Sequence, residues 1–387
     1  MPSRMQLALM LGALAAFGPL SIDSYLPAFP QIAAALGTDP ARMQATLASY
    51  FAGLAIGQSC YGPAADRWGR RGPLLVGLVV YALASAACAM ATSVEALIVL
   101  RFFQALGGCA GMVISRAIVR DVAEEREAVR LMSQLMLVMG VAPILAPMLG
   151  GTLLAALGWH AIFWGLALYA LVMLAVVLWL LPETLPVERR RRDSPAGIIG
   201  VYLMLLRDRR FMGPVLAGSL TLGGMFAYIA ASPFVLIELQ GFSPAQFAAI
   251  FGSNAAGLIL MSQVTARLVR RFEPARMLRA ALCVPVAAGL LLLASAFGIG
   301  GLPAMLVALF FAIGSLGMIL PLSSAIAMTL HGRNAGSASA LLGTLQFGLG
   351  AVAGIATGLL HNGTAIPMAA VVASGGIGGF LAFRLLR

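Results

Sequence analysis

Apolar residues fall in long runs that break only at short clusters of turn-forming or charged residues. A run of about 20 residues is what a helix needs to cross a bilayer, because the hydrocarbon core is about 30 Å thick and a helix rises about 1.5 Å per residue. Twelve such runs are present, at 6–27, 43–62, 74–92, 95–116, 132–154, 160–181, 212–237, 246–265, 277–297, 302–322, 335–359 and 366–384. The breaks are GTDPAR, DRWGRRG, ATS, RDVAEERE, LGWH, PETLPVERRRRDS, QGFSP, RRFEPAR, GIGG, HGRN and HNGT, which carry the Gly, Pro, Asn, Asp and charge that punctuate helices. The pattern predicts an all-α membrane protein of twelve spans. The first run follows one Arg and resembles a signal peptide. It has no clean A-x-A cleavage site and eleven similar runs follow it, so it reads as the first spanning helix.

Composition agrees. Of the 387 residues 61% are hydrophobic and 10% charged, whereas soluble domains carry about 25% charge. The mean hydropathy is +0.96. Too little polar surface exists to cover a water-facing protein of this size. The net charge of +11 invites a nucleic-acid reading, but the placement of the cations excludes it. All 25 are Arg. With the N-terminus inside, 23 of them lie in inside segments, Arg42 lies outside, and Arg101 lies within a span. The positive-inside rule then places both termini in the cytoplasm, and a missed or false helix would ruin the asymmetry. Cys60, Cys88, Cys109 and Cys283 sit in apolar runs without metal-ligand spacing and are expected as free thiols. His160, His331 and His361 are loop-adjacent and form no metal set.

The longest inside break splits the spans six and six. It predicts an N-terminal six-helix bundle at 1–185, a cytoplasmic linker at 186–210 and a C-terminal bundle at 211–387. Within the linker, Arg189 to Arg192 read as a solvated face near anionic lipid. Two halves joined by a basic linker fit a duplicated transporter.

The most specific stretch is Gly62-Pro-Ala-Ala-Asp66-Arg67-Trp-Gly69-Arg70-Arg71 between spans 2 and 3. Gly69 permits a tight turn, and Asp66 can pair with Arg70 and face a helix terminus. Polar contacts of this kind can act as a latch. The stretch resembles motif A of the major facilitator superfamily, and the resemblance implies that Gly62, Asp66, Arg67, Gly69 and Arg70 help hold an outward-facing state. Ser21-Ile-Asp23-Ser-Tyr25-Leu-Pro27, Tyr61-Gly62-Pro63, Arg101-Phe-Phe-Gln104, Trp159-His160-Ala-Ile-Phe163-Trp164 and Pro182-Glu183-Thr184-Leu185-Pro186 resemble the bicyclomycin/chloramphenicol-resistance (Bcr/CflA) branch of drug exporters. That resemblance implies a major facilitator fold of two pseudo-symmetric bundles in the bacterial inner membrane, exchanging protons for antibiotics. It implies no cofactor, with the proton gradient as the energy source. The expected partners are small drug-like molecules, protons and lipid; the chain is expected as a monomer, without nucleic acid.

Asp23 lies near the outer end of the first span. An acid there is either a coupling group, since intramembrane acids mark ion pathways and burial favours the protonated form, or a boundary residue in water or at the helix end. Arg101 is expected at similar depth and needs a partner. With Gln104 it resembles the family's motif B, in which Ala105 replaces Gly. The span containing Gly140, Pro143, Ala146, Pro147, Gly150 and Gly151 resembles motif C, which marks antiporters over symporters; Ala146 replaces its first Gly. Small residues there allow close helix approach, and the prolines disturb helical hydrogen bonding. Tyr25, Tyr50, Gln104, Tyr228, Asn254 and Gln346 are candidate substrate contacts; for Tyr228, Asn254 and Gln346 helix–helix hydrogen bonding is the competing role. Glu238, at the outer end of span 7, reads as an interface residue. Competing functions are export of an endogenous metabolite, nutrient uptake, and a membrane-embedded enzyme. The enzyme reading needs clustered acids, an H-E-x-x-H helix or a Ser/Lys pair, and none of these is in the sequence.

Overall fold

A computed structural model describes residues 4–122, 125–190, 195–329 and 335–386. Arg191, Arg192, His331, Arg333 and Arg387 of the sequence reading lie outside the described residues. The helices are α1 Arg4–Ala15, α2 Phe17–Asp23, α3 Phe29–Leu36, α4 Pro40–Trp68, α5 Arg71–Ala89, α6 Val94–Val122, α7 Glu125–Leu157 and α8 His160–Leu180. They continue as α9 Pro195–Arg207, α10 Arg209–Ser232, α11 Pro244–Leu268, α12 Pro274–Ala296, α13 Gly301–Thr329, α14 Ala335–Leu359 and α15 Ile366–Leu385. The described residues form helices, turns and loops, with no strand among them.

Among the described residues nine helices, α5, α6, α8, α10 to α15, are by themselves long and apolar enough to cross a membrane. A tenth span is broken: α1 and the α2–α3 segment meet at a 41° bend. Pro19, Pro27 and Pro30 explain the breaks, because each lacks an N–H and crowds the carbonyl four residues back. The predicted first span at 6–27 is therefore two short helices, a 3-10 turn at Leu26–Ala28 and a third helix reaching Leu36. The 29-residue α4 and 33-residue α7 complete the twelve. At about 1.5 Å per residue both exceed the hydrocarbon thickness, although α4 is more polar, and the described apolar stretch of α7 is Val141–Leu157.

Two compact units result, Met1–Thr38 with Ser49–Asp193, and Asp39–Ala48 with Ser194–Arg387. In the first, α5 packs on α6 and α8, while α1 and α2 pack on α6 and α7. The α5–α6 crossing is close because glycines face each other. A Cβ built on Gly107 would lie 2.5 Å from the backbone N of Tyr81 and 2.6 Å from the carbonyl oxygen of Gly77. In the second, α10 packs on α14 and α15, and α13 on α11 and α12. Its core includes Ala217, Leu278, Leu282, Ile319, Leu322 and Phe383. The start of α4 groups with this unit: a Cβ on Gly354 would lie 3.2 Å from that of Ala48.

The linker is not a plain loop. It contains α9, whose Leu205 packs with Phe211, Val215, Ala327, Ala338 and Leu341. Val201 and Tyr202 of the same helix pack against this cluster. Asp208 separates α9 from α10 by accepting a hydrogen bond from the Arg210 N–H at 2.9 Å, an N-cap. Ser243 and Gln246 close a reciprocal capping box on α11. At the end of α10 the helix widens to a π segment, Pro233–Leu239.

The glycine contacts predict a contrast in stability. Gly107→Ala should cost about 1–3 kcal/mol through overpacking and lower the unfolding temperature in detergent. Gly151→Ala, where an added Cβ meets nothing within 4 Å, should leave it unchanged. Thermal unfolding of the two variants beside the wild type checks both.

Candidate functional site

Arg101 lies on α6, seven residues in from the helix start, and is 0% exposed. A buried guanidinium in a spanning helix must be compensated. Here the compensation comes from neutral groups. Its Nη1 donates to Gln104 Oε1, and its Nη2 donates to the Ser21 carbonyl at 3.0 Å. Gln104 is held in turn, donating to Ser85 Oγ on α5 at 2.8 Å. Three rings face the guanidinium carbon, with centroids at 4.2 Å for Tyr50, 4.7 Å for Tyr25 and 5.9 Å for Phe163. Ser21 Oγ donates to the Phe17 carbonyl and meets the Tyr81 hydroxyl. Tyr25, Tyr50, Arg101 and Gln104 thus share one cluster. Ser21, Tyr81, Ser85 and Phe163 belong to it too, and the sequence reading did not assign them. Phe163 carried a signal, because it stands in the quoted Trp159–Trp164 stretch.

Asp23 is the last residue of α2 and is 4% exposed. It forms no ion pair with Arg101; the bonded group is Ser21, two residues earlier. Gly150 of α7 abuts the turn just after Asp23. A Cβ on Gly150 would lie 1.9 Å from the Ser24 carbonyl oxygen, so only glycine fits there. The segment Ser21–Ser24 is therefore held by α6 from one direction and by α7 from the other. α7 stays helical through Pro143 and Pro147, and Pro147 and Ala146 are buried while Pro143 is half-buried. Gly140 lies on the same helix, and Gly151 has open space beside it. At position 105 the alanine that replaces glycine is accommodated from across the interface: a Cβ on Gly53 of α4 would lie 2.9 Å from that of Ala105. The missing glycine of one helix is supplied by the other.

The α4–α5 turn forms a second cluster. Gly69 has φ +91°, a backbone conformation that favours glycine, and a Cβ there would lie 2.3 Å from Glu183 Oε2 and displace that carboxylate. The turn lets Glu183 accept from the Arg70 N–H at 2.8 Å and the Arg71 N–H at 3.2 Å, at the N-terminus of α5, where an anion is favoured. Glu183 also accepts from the Leu185 N–H, and Arg190 lies 3.9 Å away. The Arg70 side chain is bound twice by acids, to Asp66 at 2.5 Å and to Asp121 at 2.7 Å. A second nitrogen donates to Asp121 at 3.3 Å, a fork geometry suited to Arg. Burial opposes the Arg70 charge, but Asp121 and Asp66 outweigh it and raise its pKa above the ordinary value. Partial burial likewise opposes ionised Glu183, yet the backbone donors of Arg70, Leu185 and Arg71, with nearby Arg190, hold its carboxyl below the usual 4.5. Arg67 is exposed and lies over the Trp68 ring at 5.9 Å. Gly62 sits inside α4 with open space beside it. Asp121 and Glu183 were not assigned from the sequence; Glu183 stands in the quoted Pro182–Pro186 stretch, and Asp121, 51 residues from Arg70, carries no local signal.

In the second unit, Asn254 Nδ2 donates to the Tyr228 hydroxyl at 2.9 Å, and Tyr228 stacks on Phe251 at 5.7 Å. Both polar residues are buried, at 2% and 1% exposure, and this bond joins α10 to α11. Gln346 is half-buried on α14. Glu238 is exposed on the π segment. All four cysteines are free thiols. Among the described residues no group of His, Cys, Asp or Glu is placed to hold a metal.

Comparison with known proteins agrees with this architecture. The family model described as Major Facilitator Superfamily matches residues 9–355. An uncharacterised MFS-type transporter YdgK of Bacillus subtilis is 38% identical over 382 residues, covering 98% of this chain and 95% of that one. A bicyclomycin resistance protein homolog of Haemophilus influenzae is 33% identical, covering 93% and 90%. Among solved structures, the xylose transporter XylE from Escherichia coli superposes with a TM-score of 0.78 at 12% identity, covering 99% and 98%; at that identity the likeness is one of fold.

The Glu183 clasp predicts a pH effect with a defined sign. A carboxyl lowered in the folded state contributes stability that is complete above 4.5 and is lost as pH falls through its lower folded value. Wild-type protein in detergent should therefore lose more unfolding temperature between pH 5 and pH 3, on the order of the window just named, than Glu183→Gln does. At pH 7 the variant should unfold at the lower temperature. Thermal scans across this range check both statements.

Proposed function

The chain belongs to the Major Facilitator Superfamily, and from that premise we propose that it is a proton-coupled exporter of small amphipathic antibiotics of the bicyclomycin/chloramphenicol type. The observation that carries the reading is the buried acid Asp23, set at the end of its helix and two residues after the one whose carbonyl binds Arg101. An acid inside a spanning segment is costly and marks an ion path. A helix break there gives the acid a local backbone that can rearrange when its charge changes. The antibiotic class is supported by the Haemophilus influenzae relative and the export direction by the glycine–proline pattern of α7.

In this proposal the segments 1–185 and 211–387 act as two bundles joined by 186–210, working as a monomer in the bacterial inner membrane with both termini inside. Proton binding to Asp23 and substrate binding alternate. Arg70, with Asp66, Asp121 and the Gly69 turn, latches one face during the cycle. Tyr25, Tyr50 and Gln104, and Tyr228, Asn254 and Gln346, contact substrate when their present hydrogen bonds and ring contacts open. No cofactor is required.

Everted membrane vesicles test the coupling. Chloramphenicol or bicyclomycin added to vesicles with wild-type protein should release protons from the acidified lumen, and Asp23→Asn should abolish the release at equal expression. Undiminished release from Asp23→Asn would sink the proposal. Resistance of expressing cells should also vanish with a protonophore; resistance that survives it would exclude the proton as coupling ion.

A further inference from the structure

Arg101 sits in a spanning helix with no carboxylate bound to it. Its Nε has no hydrogen-bond partner. Two neutral acceptors and three ring faces are what surround the charge. The rings come from three separate elements, Tyr25 after α2, Tyr50 from α4 and Phe163 from α8, and all three are buried. They are also braced: Tyr25 packs on Phe163 at 5.4 Å and on Phe29 at 4.7 Å, and Phe163 on Trp159 at 6.1 Å. A guanidinium over a ring face gains electrostatic attraction that grows when water is excluded. The nearest acid in sequence to the bound Ser21 carbonyl is Asp23, and it forms no ion pair with Arg101.

We propose that the rings of Tyr25, Tyr50 and Phe163 serve as the neutral counter-group of Arg101, holding its charge away from Asp23 so that this acid is free to take and release a proton. Tyr50 and Phe163 are then positioning residues for Asp23, acting through Arg101. The inference rests on Asp23 as the coupling acid. It adds why the acid and the cation, although held on the same short segment, are not paired. An Arg101–Asp23 ion pair would hold the acid ionised and remove it from exchange. Among the described residues, the titratable and charged groups around this centre are Asp23 and Tyr25 on the first broken span, Tyr50 on α4, Tyr81 and Cys88 on α5, and Cys109 and Arg101 itself on α6. α8 contributes the uncharged Phe163, and the half-buried and buried prolines of α7 carry no charge.

The protonation of Asp23 can be read without any transported substrate. A hydrophobic carbodiimide reacts with protonated buried carboxyls, and peptide mass spectrometry of the full-length protein in detergent gives labelling of Asp23 as a function of pH. Wild-type protein should label with a defined midpoint. Tyr50→Leu and Phe163→Leu, each removing a ring, should move that midpoint to lower pH, by about one unit for Tyr50→Leu, a tenfold change. Tyr50→Phe, which keeps the ring, should not move it. In an Arg101→Met background Tyr50→Leu should no longer have an effect, as a coupling through Arg101 requires. An unmoved midpoint in both leucine variants at unchanged unfolding temperature overturns the inference. So does an equal movement without Arg101, or a wild-type Asp23 that resists the reagent at every pH. If Tyr50→Leu does not fold, Phe163→Leu, farther from the guanidinium, carries the same test. Should the midpoints move as expected while Asp23→Asn still releases protons with drug, the cage stands and the assignment of Asp23 to coupling falls.

Discussion

One charge organises the first unit. Arg101 carries a guanidinium, is 0% exposed and lies within a membrane-spanning helix. Something must therefore be built around it. α2 offers the Ser21 carbonyl, α5 fixes Gln104 through Ser85, and three elements bring aromatic faces. These contacts tie α2, α4, α5, α6 and α8 to a single point. The glycines at the α5–α6 crossing and at Gly53 let the backbones come close enough for those short reaches. Compensation by neutral groups leaves Asp23 without an ion pair to this cation.

Arg70 shows the opposite solution for the same residue type. At the α4–α5 turn it is bound by two carboxylates, and the carboxylate of Glu183 takes the backbone N–H groups beside it. Here both partners of each pair lie near the helix ends, where desolvation is smaller and the α5 N-terminus favours an anion. The result is a rigid corner uniting α4, α5, the end of α6 and the segment after α8. The two arginines thus differ in kind: Arg70 is fixed in a corner by carboxylates, whereas Arg101 is compensated by neutral groups and Asp23 forms no ion pair with it.

The glycine–proline pattern of α7 gains a concrete role from its surroundings. Gly150 is needed because the Ser24 carbonyl occupies the space of a side chain, so this motif touches the segment that carries Asp23. Gly151 next to it has no such neighbour. Two adjacent glycines in one motif thus differ in what they do, and only the packing distinguishes them.

From the sequence alone, the span lengths and the placement of the arginines established an all-α membrane protein, because the bilayer imposes one length and one bias on every segment. The Gly69 turn, the Asp66–Arg70 spacing and the family resemblance were legible for the same reason: they are local, within a few residues. The tertiary structure alone decided that the first span is broken, that the linker holds a packed helix, and that Asp121 and Glu183, 51 and 113 residues from Arg70, converge on it. It also decided that Arg101 and Asp23 remain apart. A lone sequence shows that a buried charge must be compensated; which side chains reach it depends on how five helices cross, and that is encoded in packing distances rather than in spacing along the chain.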